Sequence, residues 1–400
     1  MCGLCLPHCP TYIKSRDENE SPRGRISLIK ALAEDKLDAT PKLIQHLERC
    51  LMCRACESIC PSEVRFGYLM DTARNNMGHQ SSTFAQRTLN SIIDSKSRMK
   101  NVGRFLYLYQ KSGLQKIARK TGLLTLTKAA GLDNLLPEKT KQPASFKSFY
   151  PATGEEKGQV ALFTGCIAQI LDQETLDAAI QVLTLFGFGV HVPEEQTCCG
   201  ALHLHNGQFN KANEQAKTNM TAFNKNRIDA IISVASGCGA TLSEYSLSSI
   251  ASKNKDFNTQ FTSQVQDISQ FLNHQEWPEQ LRFKPLNARV AIHDPCTLTH
   301  VLKQAEPPYQ LLSRIPEIEL VPLGENKTCC GAAGSYMIDH PDMARALRDD
   351  KLAQIKILQP IILLTSNIGC AMHLRAGLRE AGLDVEVMHP IVLLRKQLDL

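Results

Sequence analysis

The chain has 400 residues, of which 43% are hydrophobic, and this length and composition suit two to four domains with cores of their own. The net charge of +5 hides an asymmetry, because residues 1–150 carry a net charge of +11 and residues 151–400 one of −6. No nucleic-acid-binding motif accompanies the basic part, so we expect no nucleic acid as a partner. The basic part either docks on an acidic partner or an anionic membrane surface, or offsets anionic groups bound by the protein itself.

Fifteen cysteines are many for a chain of this length, and they stand in tight groups. Met1 is followed at once by Cys2, without the apolar stretch of a secretory signal, and grouped cysteines in such a chain are typical of metal ligation in a reducing compartment. No apolar run approaches the length of a membrane span. We expect a protein without a transmembrane helix that is either cytoplasmic or attached to a membrane only at its surface.

Two cysteine runs define a first domain over residues 1–75. The run from Cys50 to Pro61 has the spacing C-x2-C-x2-C-x3-C-P, which holds a [4Fe–4S] cluster in bacterial ferredoxins. The chain's first residues, from Cys2 to Pro10, repeat this spacing without its first cysteine. Zinc is a weaker interpretation, because zinc sites use separated C-x2-C pairs.

The fourth cysteine of each such run ligates the other cluster of the pair. One [4Fe–4S] cluster is therefore expected on Cys9, Cys50, Cys53 and Cys56. The other is expected on Cys2, Cys5, Cys60 and a fourth ligand that would fall two places before Met1. Either the recorded start lies downstream of the true one, or a cluster with three cysteines forms; we favour the first, since the partner of Cys2 is missing by only two places.

Ser21-Pro22-Arg23-Gly24-Arg25 lies between the two runs and predicts a helix start, because serine caps free amides and proline fits the first turn. Arg23 and Arg25 either offset cluster charge or contact a partner, or are solvated side chains at the helix entry.

Residues 76–136 are predicted to be helical and basic, with no acidic residue from Ser95 to Leu132. Apolar side chains interleave with the lysines and arginines, so this segment packs on protein or lies in a membrane interface. Residues 137–159 are rich in proline, lysine and serine, which predicts a linker.

An internal repeat follows, with one Cys-Cys-Gly domain at 160–275 and a second at 286–400. Four cysteines recur in one order, and their spacings agree to one residue between the copies. The thiols that share this pattern, and that form candidate second sites, are Cys166, Cys198, Cys199, Cys238, Cys296, Cys329, Cys330 and Cys370.

Short apolar runs alternate with amphipathic helical patterns in both copies, which predicts an α/β fold with a parallel sheet. Two cysteines of each copy follow a predicted strand, at the sheet edge where open α/β sheets place their sites. Adjacent thiols favour a metal, a cluster or a redox dithiol. We expect the nearby His203, His205 and His293 to be hydrogen-bonding residues rather than ligands.

No dinucleotide fingerprint, P-loop, nucleophile elbow or H-E-x-x-H motif is present. The sequence therefore predicts an electron carrier without catalytic residues of its own.

These features together resemble the iron–sulfur subunit of bacterial glycolate oxidase, also called glycolate dehydrogenase. The resemblance covers nearly the whole chain and is carried by the two cysteine runs, the S-P-R-G-R-I stretch between them, and both Cys-Cys-Gly domains. The closest stretches are Cys50–Gly67, 235–240, Pro295–Leu298, Cys329–Tyr336 and Asn367–Cys370.

The resemblance implies an oxidoreductase complex acting on a CH–OH group, in which FAD-containing oxidase subunits oxidise glycolate to glyoxylate and D-lactate to pyruvate. This subunit would pass electrons from the flavin to a quinone or another membrane acceptor at the cytoplasmic face of the inner membrane. The family implies an N-terminal α-helical, ferredoxin-like two-cluster domain and duplicated parallel-sheet Cys-Cys-Gly domains.

Three alternatives stay open. The chain is also similar to thiol/disulfide oxidoreductase subunits like those of heterodisulfide reductase, and to D-lactate dehydrogenase iron–sulfur subunits; a non-redox zinc scaffold is the third. In heterodisulfide reductase the last cysteine of each copy has a C-x2-C partner, whereas Cys238 and Cys370 stand alone. Whether an additional cluster assembles on the Cys-Cys-Gly thiols is therefore open.

Overall fold

A helical N-terminal domain and a helical connection precede two α/β domains. The computed structural model describes residues 2–77, 84–126, 130–142, 145–246, 255–324, 326 and 328–399. Within these ranges, none of the helices combines the length and the hydropathy that crossing a bilayer requires.

The N-terminal domain is built from short helices around its cysteine loops. Ser21 accepts a hydrogen bond from the Gly24 amide and Pro22 occupies the first turn, so the predicted helix start is confirmed. Thr40 caps the next long helix in the same way. The helices are α1 (Pro10–Ser15), α2 (Pro22–Ala33), α3 (Pro41–Glu48), α4 (Ala55–Ser58) and α5 (Phe66–Asn76), with 3-10 turns at Leu6–His8 and Glu18–Glu20.

The basic connection is helical, as its sequence predicts. Ser95 caps its longest helix by accepting a hydrogen bond from the Arg98 amide. The helices are α6 (Phe84–Ile93), α7 (Lys96–Lys111), α8 (Leu114–Lys120), α9 (Leu123–Leu126) and α10 (Ala130–Leu135).

The first α/β domain contains a five-stranded sheet in the order β1-β3-β2-β4-β5. All neighbouring strands are parallel except β1, which comes from the segment predicted as a linker and pairs antiparallel at the edge. The strands are β1 (Phe149–Tyr150), β2 (Gly158–Phe163), β3 (Phe188–His191), β4 (Ala230–Ser233) and β5 (Val265–Asp267). The helices are α11 (Ala168–Leu171), α12 (Gln173–Leu185), α13 (Ala201–His205), α14 (Phe209–Phe223), α15 (Ser236–Ser243), α16 (Lys255–Gln264) and α17 (Ile268–Asn273).

The second α/β domain repeats this plan with a four-stranded parallel sheet in the order β7-β6-β8-β9. Its strands are β6 (Ala288–His293), β7 (Ile318–Pro322), β8 (Ile362–Thr365) and β9 (Glu386–Met388). Its helices are α18 (Pro307–Leu312), α19 (Tyr336–Asp339), α20 (Pro341–Leu358), α21 (Ile368–Glu380) and α22 (Pro390–Gln397), and a π-helix spans Thr297–Leu302. The predicted duplicated α/β architecture with parallel sheets is confirmed.

The two α/β domains share one apolar core. Side chains of β2 and of β6 belong to the same continuous set of buried residues. Helix α12 packs on α22, and α17 packs on α18. In both contacts the helix after the first core strand of one domain meets the helix after the last strand of the other. This pseudo-symmetric packing holds the two sheets in one body and fixes the relative position of their cysteines.

Candidate metal centres

The Cys50 run forms a tight loop with its thiols turned inward. Met52 and Arg54, which flank Cys53, adopt left-handed backbone conformations with φ of 53° and 60°. Such conformations cost free energy in non-glycine residues and persist where the surroundings impose them. Arg54 is fixed by ion pairs with Glu57, at 2.7 Å, and with Glu244 of the first α/β domain, at 2.6 Å.

Cys50, Cys53 and Cys56 are buried in this loop, and Cys9 approaches from the start of helix α1. These four thiols, predicted as one ligand set, line a single small cavity. Burial and the neighbouring Cys50, Cys9 and Cys5 thiols raise the pKa of Cys56. Without a bound cation, this thiol therefore resists deprotonation. Four convergent soft ligands fit an iron–sulfur cluster, and their role as its ligands stays a prediction.

Arg25 lies on the wall of the same cavity and is only 1% exposed, so the interpretation of a solvated arginine is wrong for it. Its guanidinium donates to the His46 carbonyl, to Thr11 Oγ1 and, at 2.7 Å, to Glu20. Burial opposes its charge, but the Cys50 and Cys9 thiols and Glu20 outweigh this effect and raise the pKa of Arg25. A fixed positive charge therefore stands beside this cysteine set.

The other predicted ligands lie farther out. Cys2 is exposed, and Cys5 and Cys60 are partly exposed. Burial raises the pKa of Cys5, with smaller contributions from the neighbouring Cys9 and Cys2 thiols. The assignment of Cys2, Cys5 and Cys60 to one site stays a prediction.

In the first α/β domain the four cysteines meet at the carboxyl edge of the sheet. Cys166 follows β2, Cys238 lies in the first turn of α15 after β4, and the Cys198–Cys199 pair joins them. Cys166 Sγ lies 3.5 Å from Cys198 Sγ. Hydrogen bonds from Cys198 and Cys238 lower the pKa of Cys199, so this buried group favours a thiolate, the form that binds metals.

The second α/β domain brings its four cysteines together at the equivalent edge. Cys296 Sγ lies 4.0 Å from Cys329 Sγ, and Cys330 Sγ lies 3.1 Å from Cys370 Sγ. The hydrogen bond with Cys329 and, to a smaller extent, burial raise the pKa of Cys296. Both quartets are dense and buried enough to hold a thiophilic metal or cluster.

The backbone conformation explains why a glycine follows each Cys-Cys pair. Gly200 and Gly331 have φ of 90° and 89°, a region that other residues rarely adopt. The chain turns here into the following helix, so a Cβ would lie 3.3 Å from the Ala212 carbonyl oxygen in the first domain and 2.5 Å from that of Ala344 in the second.

One cavity of about 760 Å³ connects the sites. All eight thiols of the two α/β domains line it, together with Cys50 of the N-terminal loop. Its wall also includes Leu106 of α7 and Leu135 of α10, so the basic connection closes one side.

The N-terminal loop also packs directly on the second α/β domain. Cys53 shares an apolar group with Cys329 and Tyr336, and Tyr336 donates a hydrogen bond to the Arg49 carbonyl at 3.2 Å. Burial and the neighbouring Cys296 thiol raise the pKa of Cys53. Sequence reasoning did not foresee this contact, because the residues lie more than 240 positions apart.

The three histidines near the cysteines differ. His203 bonds to Asp94 and Gln208, and His205 bonds to Asp71, as expected of hydrogen-bonding residues. His293 uses Nδ1 for Thr365, while its Nε2 has no hydrogen-bond partner among the described residues.

Family models and relatives agree on what this chain is similar to. Residues 1–64 match the 4Fe-4S dicluster domain, 81–139 match the linker region of the glycolate oxidase iron-sulfur subunit, and 160–243 and 290–375 match the cysteine-rich domain. The dicluster match favours iron and sulfide over a zinc-only scaffold, and the chain is an iron–sulfur protein.

Two relatives that match nearly the whole chain are named as glycolate oxidase iron-sulfur subunits, one of them as a probable one. The probable glycolate oxidase iron-sulfur subunit of Bacillus subtilis (strain 168) is 35% identical, over 96% of this chain and 90% of its own length. The glycolate oxidase iron-sulfur subunit of Escherichia coli (strain K12) is 32% identical, over 94% of this chain and 89% of its own length. Lactate utilization protein A of Geobacillus sp. (strain WCH70) is 25% identical over 58% of this chain and 96% of its own length. The matches to the first two relatives show the family of the chain, and the cysteine sites and duplicated domains of the chain agree with it. The chain therefore belongs to the family of glycolate oxidase iron–sulfur subunits, which are electron-transfer subunits of oxidoreductase complexes.

Proposed function

We propose that this chain relays electrons in a glycolate dehydrogenase complex, from a flavin on FAD-containing partner subunits to a quinone or another membrane acceptor. Glycolate would be oxidised to glyoxylate on the partner, with D-lactate to pyruvate as a second reaction. The observation that carries this proposal is the packing of Cys53 against Cys329, which makes the thiol sites of two domains neighbours.

In this proposal Cys9, Cys50, Cys53 and Cys56 hold one [4Fe–4S] cluster, and Cys2, Cys5 and Cys60 contribute to the other. When bound, such clusters supply one-electron carriers whose potentials depend on burial, charge and hydrogen bonds to sulfur. Buried side chains exclude water from the first site, and Arg25 holds a positive charge at its wall, which favours the reduced, more negative state.

The basic connection supports a location at the cytoplasmic face of the inner membrane. Helices α7 and α8 expose Phe105, Leu108, Leu114 and Ile117 among lysines and arginines. Exposed apolar side chains within a cationic face suit either an anionic bilayer surface or an acidic face of a partner subunit.

The relay is tested by Cys53→Ser in the assembled complex. We expect the variant to lose one reduced-state EPR signal and to abolish glycolate-dependent dye reduction, because one ligand of the first cluster is gone. Ser58→Ala, in the same loop but without a thiol, is the matched control and should retain both. Full turnover in Cys53→Ser would end the relay proposal.

A thiol/disulfide oxidoreductase is the second candidate, favoured by the cavity of about 760 Å³ that all eight paired-domain thiols line. Cys198→Ser and Cys330→Ser discriminate between the two. Loss of disulfide reduction with retained glycolate turnover would support the second candidate, and glycolate and D-lactate assayed side by side would identify the donor.

A further inference from the structure

One difference between the two α/β domains lies at the cysteine-lined edge of their sheets. The last residue of β2 is Phe163, whereas the last residue of β6, at the same place in the repeat, is His293. Both side chains follow the same register, since Phe163 pairs with Ser233 and His293 pairs with Thr365 in the adjacent strand. At this position the second domain therefore carries an imidazole where the first carries a phenyl ring.

His293 is 1% exposed and is held in one orientation. Its Nδ1 lies 3.0 Å from Thr365 Oγ1, which leaves Nε2 as the free ring nitrogen. That Nε2 has no hydrogen-bond partner in the part of the chain that the structure describes. A buried polar atom without a partner costs about 1–3 kcal/mol, so its retention calls for an explanation.

The thiols beside it supply the explanation. A ring nitrogen of His293 and the sulfurs of Cys330 and Cys370 all lie within 4.8 Å of one another. The hydrogen bond that fixes the other ring nitrogen is the usual support of a metal-binding histidine, because it sets the tautomer and the ring orientation.

We propose that the second α/β domain binds a single divalent ion of borderline softness, for which Zn²⁺ is the probe, through His293 Nε2, Cys330 Sγ and Cys370 Sγ. Imidazole with two thiolates suits zinc, and three protein ligands leave one position for water or an exogenous ligand. Cys330 and Cys370 line the cavity of about 760 Å³ and His293 does not, so the ion lies in the cavity wall and its open position faces the cavity.

The first test needs no variant. The full chain is purified anaerobically, zinc, iron and sulfide are quantified before and after addition of one equivalent of Zn²⁺, and the zinc environment is measured by X-ray absorption. We expect one zinc per chain with nitrogen at about 2.0 Å and sulfur at about 2.3 Å. A shell of sulfur alone, or no zinc retained, would overturn the proposal, as would iron and sulfide beyond two clusters in place of zinc.

The second test is His293→Phe, which copies the first domain. Zinc affinity should fall at least tenfold, while the EPR signals of the N-terminal clusters stay unchanged. His293→Cys restores a ligand and should recover binding. His389→Asn is the matched control, because His389 is also buried but caps α22 and is not part of the thiol group. Unchanged zinc affinity in His293→Phe would contradict the assignment.

Discussion

Asn219 and Lys351 occupy equivalent places in the two α/β domains, seven residues after the alanine that each Cys-Cys-Gly turn contacts. Asn219 is fully buried, donates to the Cys198 carbonyl and accepts from the Thr197 amide, so a neutral amide fixes the first thiol loop. Lys351 is 4% exposed and faces thiols instead; burial lowers its pKa, and Cys330 and Cys329 act in the opposite direction.

The same difference extends to the neighbours of each quartet. The first domain closes its cysteines with Tyr245, whose hydroxyl donates to the Cys199 carbonyl at 2.7 Å. The second presents Cys329 to Cys53 of the N-terminal loop. The eight thiols thus occupy equivalent places in the two copies, but their surroundings differ. An amide and a phenol fix the first quartet by hydrogen bonds, whereas a buried lysine and the first cysteine loop border the second.

The largest expected difference between the copies concerns the glycine turns. Gly331→Ala should lower the free energy of unfolding by about 3–5 kcal/mol, because a positive φ costs about 1–2 kcal/mol and the Cβ would meet the Ala344 carbonyl oxygen at 2.5 Å. Gly200→Ala should cost about 1–2 kcal/mol, since the equivalent approach is 3.3 Å. Denaturant unfolding of both variants under anaerobic conditions measures the two costs, and equal losses would refute the tighter packing of the second turn.

The second comparison is between the helix caps that follow the last strands, Asp267 in the first domain and His389 in the second. Burial raises the pKa of Asp267 to about 6 and lowers that of His389 to about 3. A raised carboxyl pKa means that stability is lost as pH rises from about 4 through 6. A lowered histidine pKa means that stability is lost as pH falls from about 6.5 towards 3.

Asparagine keeps either cap without a titrating charge. Asp267→Asn should therefore gain about 1–3 kcal/mol relative to the parent above pH 6, and His389→Asn should lose less stability on acidification. Unfolding free energies from pH 5 to 8 measure both effects. A pH-independent difference between parent and variant would show that the cap has the same pKa in the folded and the unfolded chain.

Much of this architecture follows from the sequence, because the repeat of four cysteines aligns the copies and β-rich runs before Cys166 and Cys296 predict parallel strands. The match of Phe163 with His293 was also visible in that alignment. The alignment could not show that His293 is a candidate ligand, because the lack of a partner for its Nε2 depends on how the folded chain packs around it. Arg23 and Arg25 show the same limit: they stand two residues apart in one helix, and only the docking of α3 and Glu20 decides that Arg25 is buried.

The smallest expected effect concerns the helix starts at the thiol edge. Asn367 caps α21 by accepting from the Gly369 amide at 3.0 Å and donates to Ser236 of the other domain at 3.2 Å, whereas its counterpart Ala235 provides no side-chain cap for α15. Asn367→Ala should cost about 1–2 kcal/mol, measured by denaturant unfolding, because it removes the cap and one link between the domains. Ser236→Ala keeps the cap but removes this link together with the 2.8 Å hydrogen bond that Ser236 accepts from Thr297 of the second domain. A cost below that of Asn367→Ala would show that the cap contributes more than both links, and an equal or larger cost would mean that the links between the domains, rather than the cap, anchor the cysteine helix of the second domain.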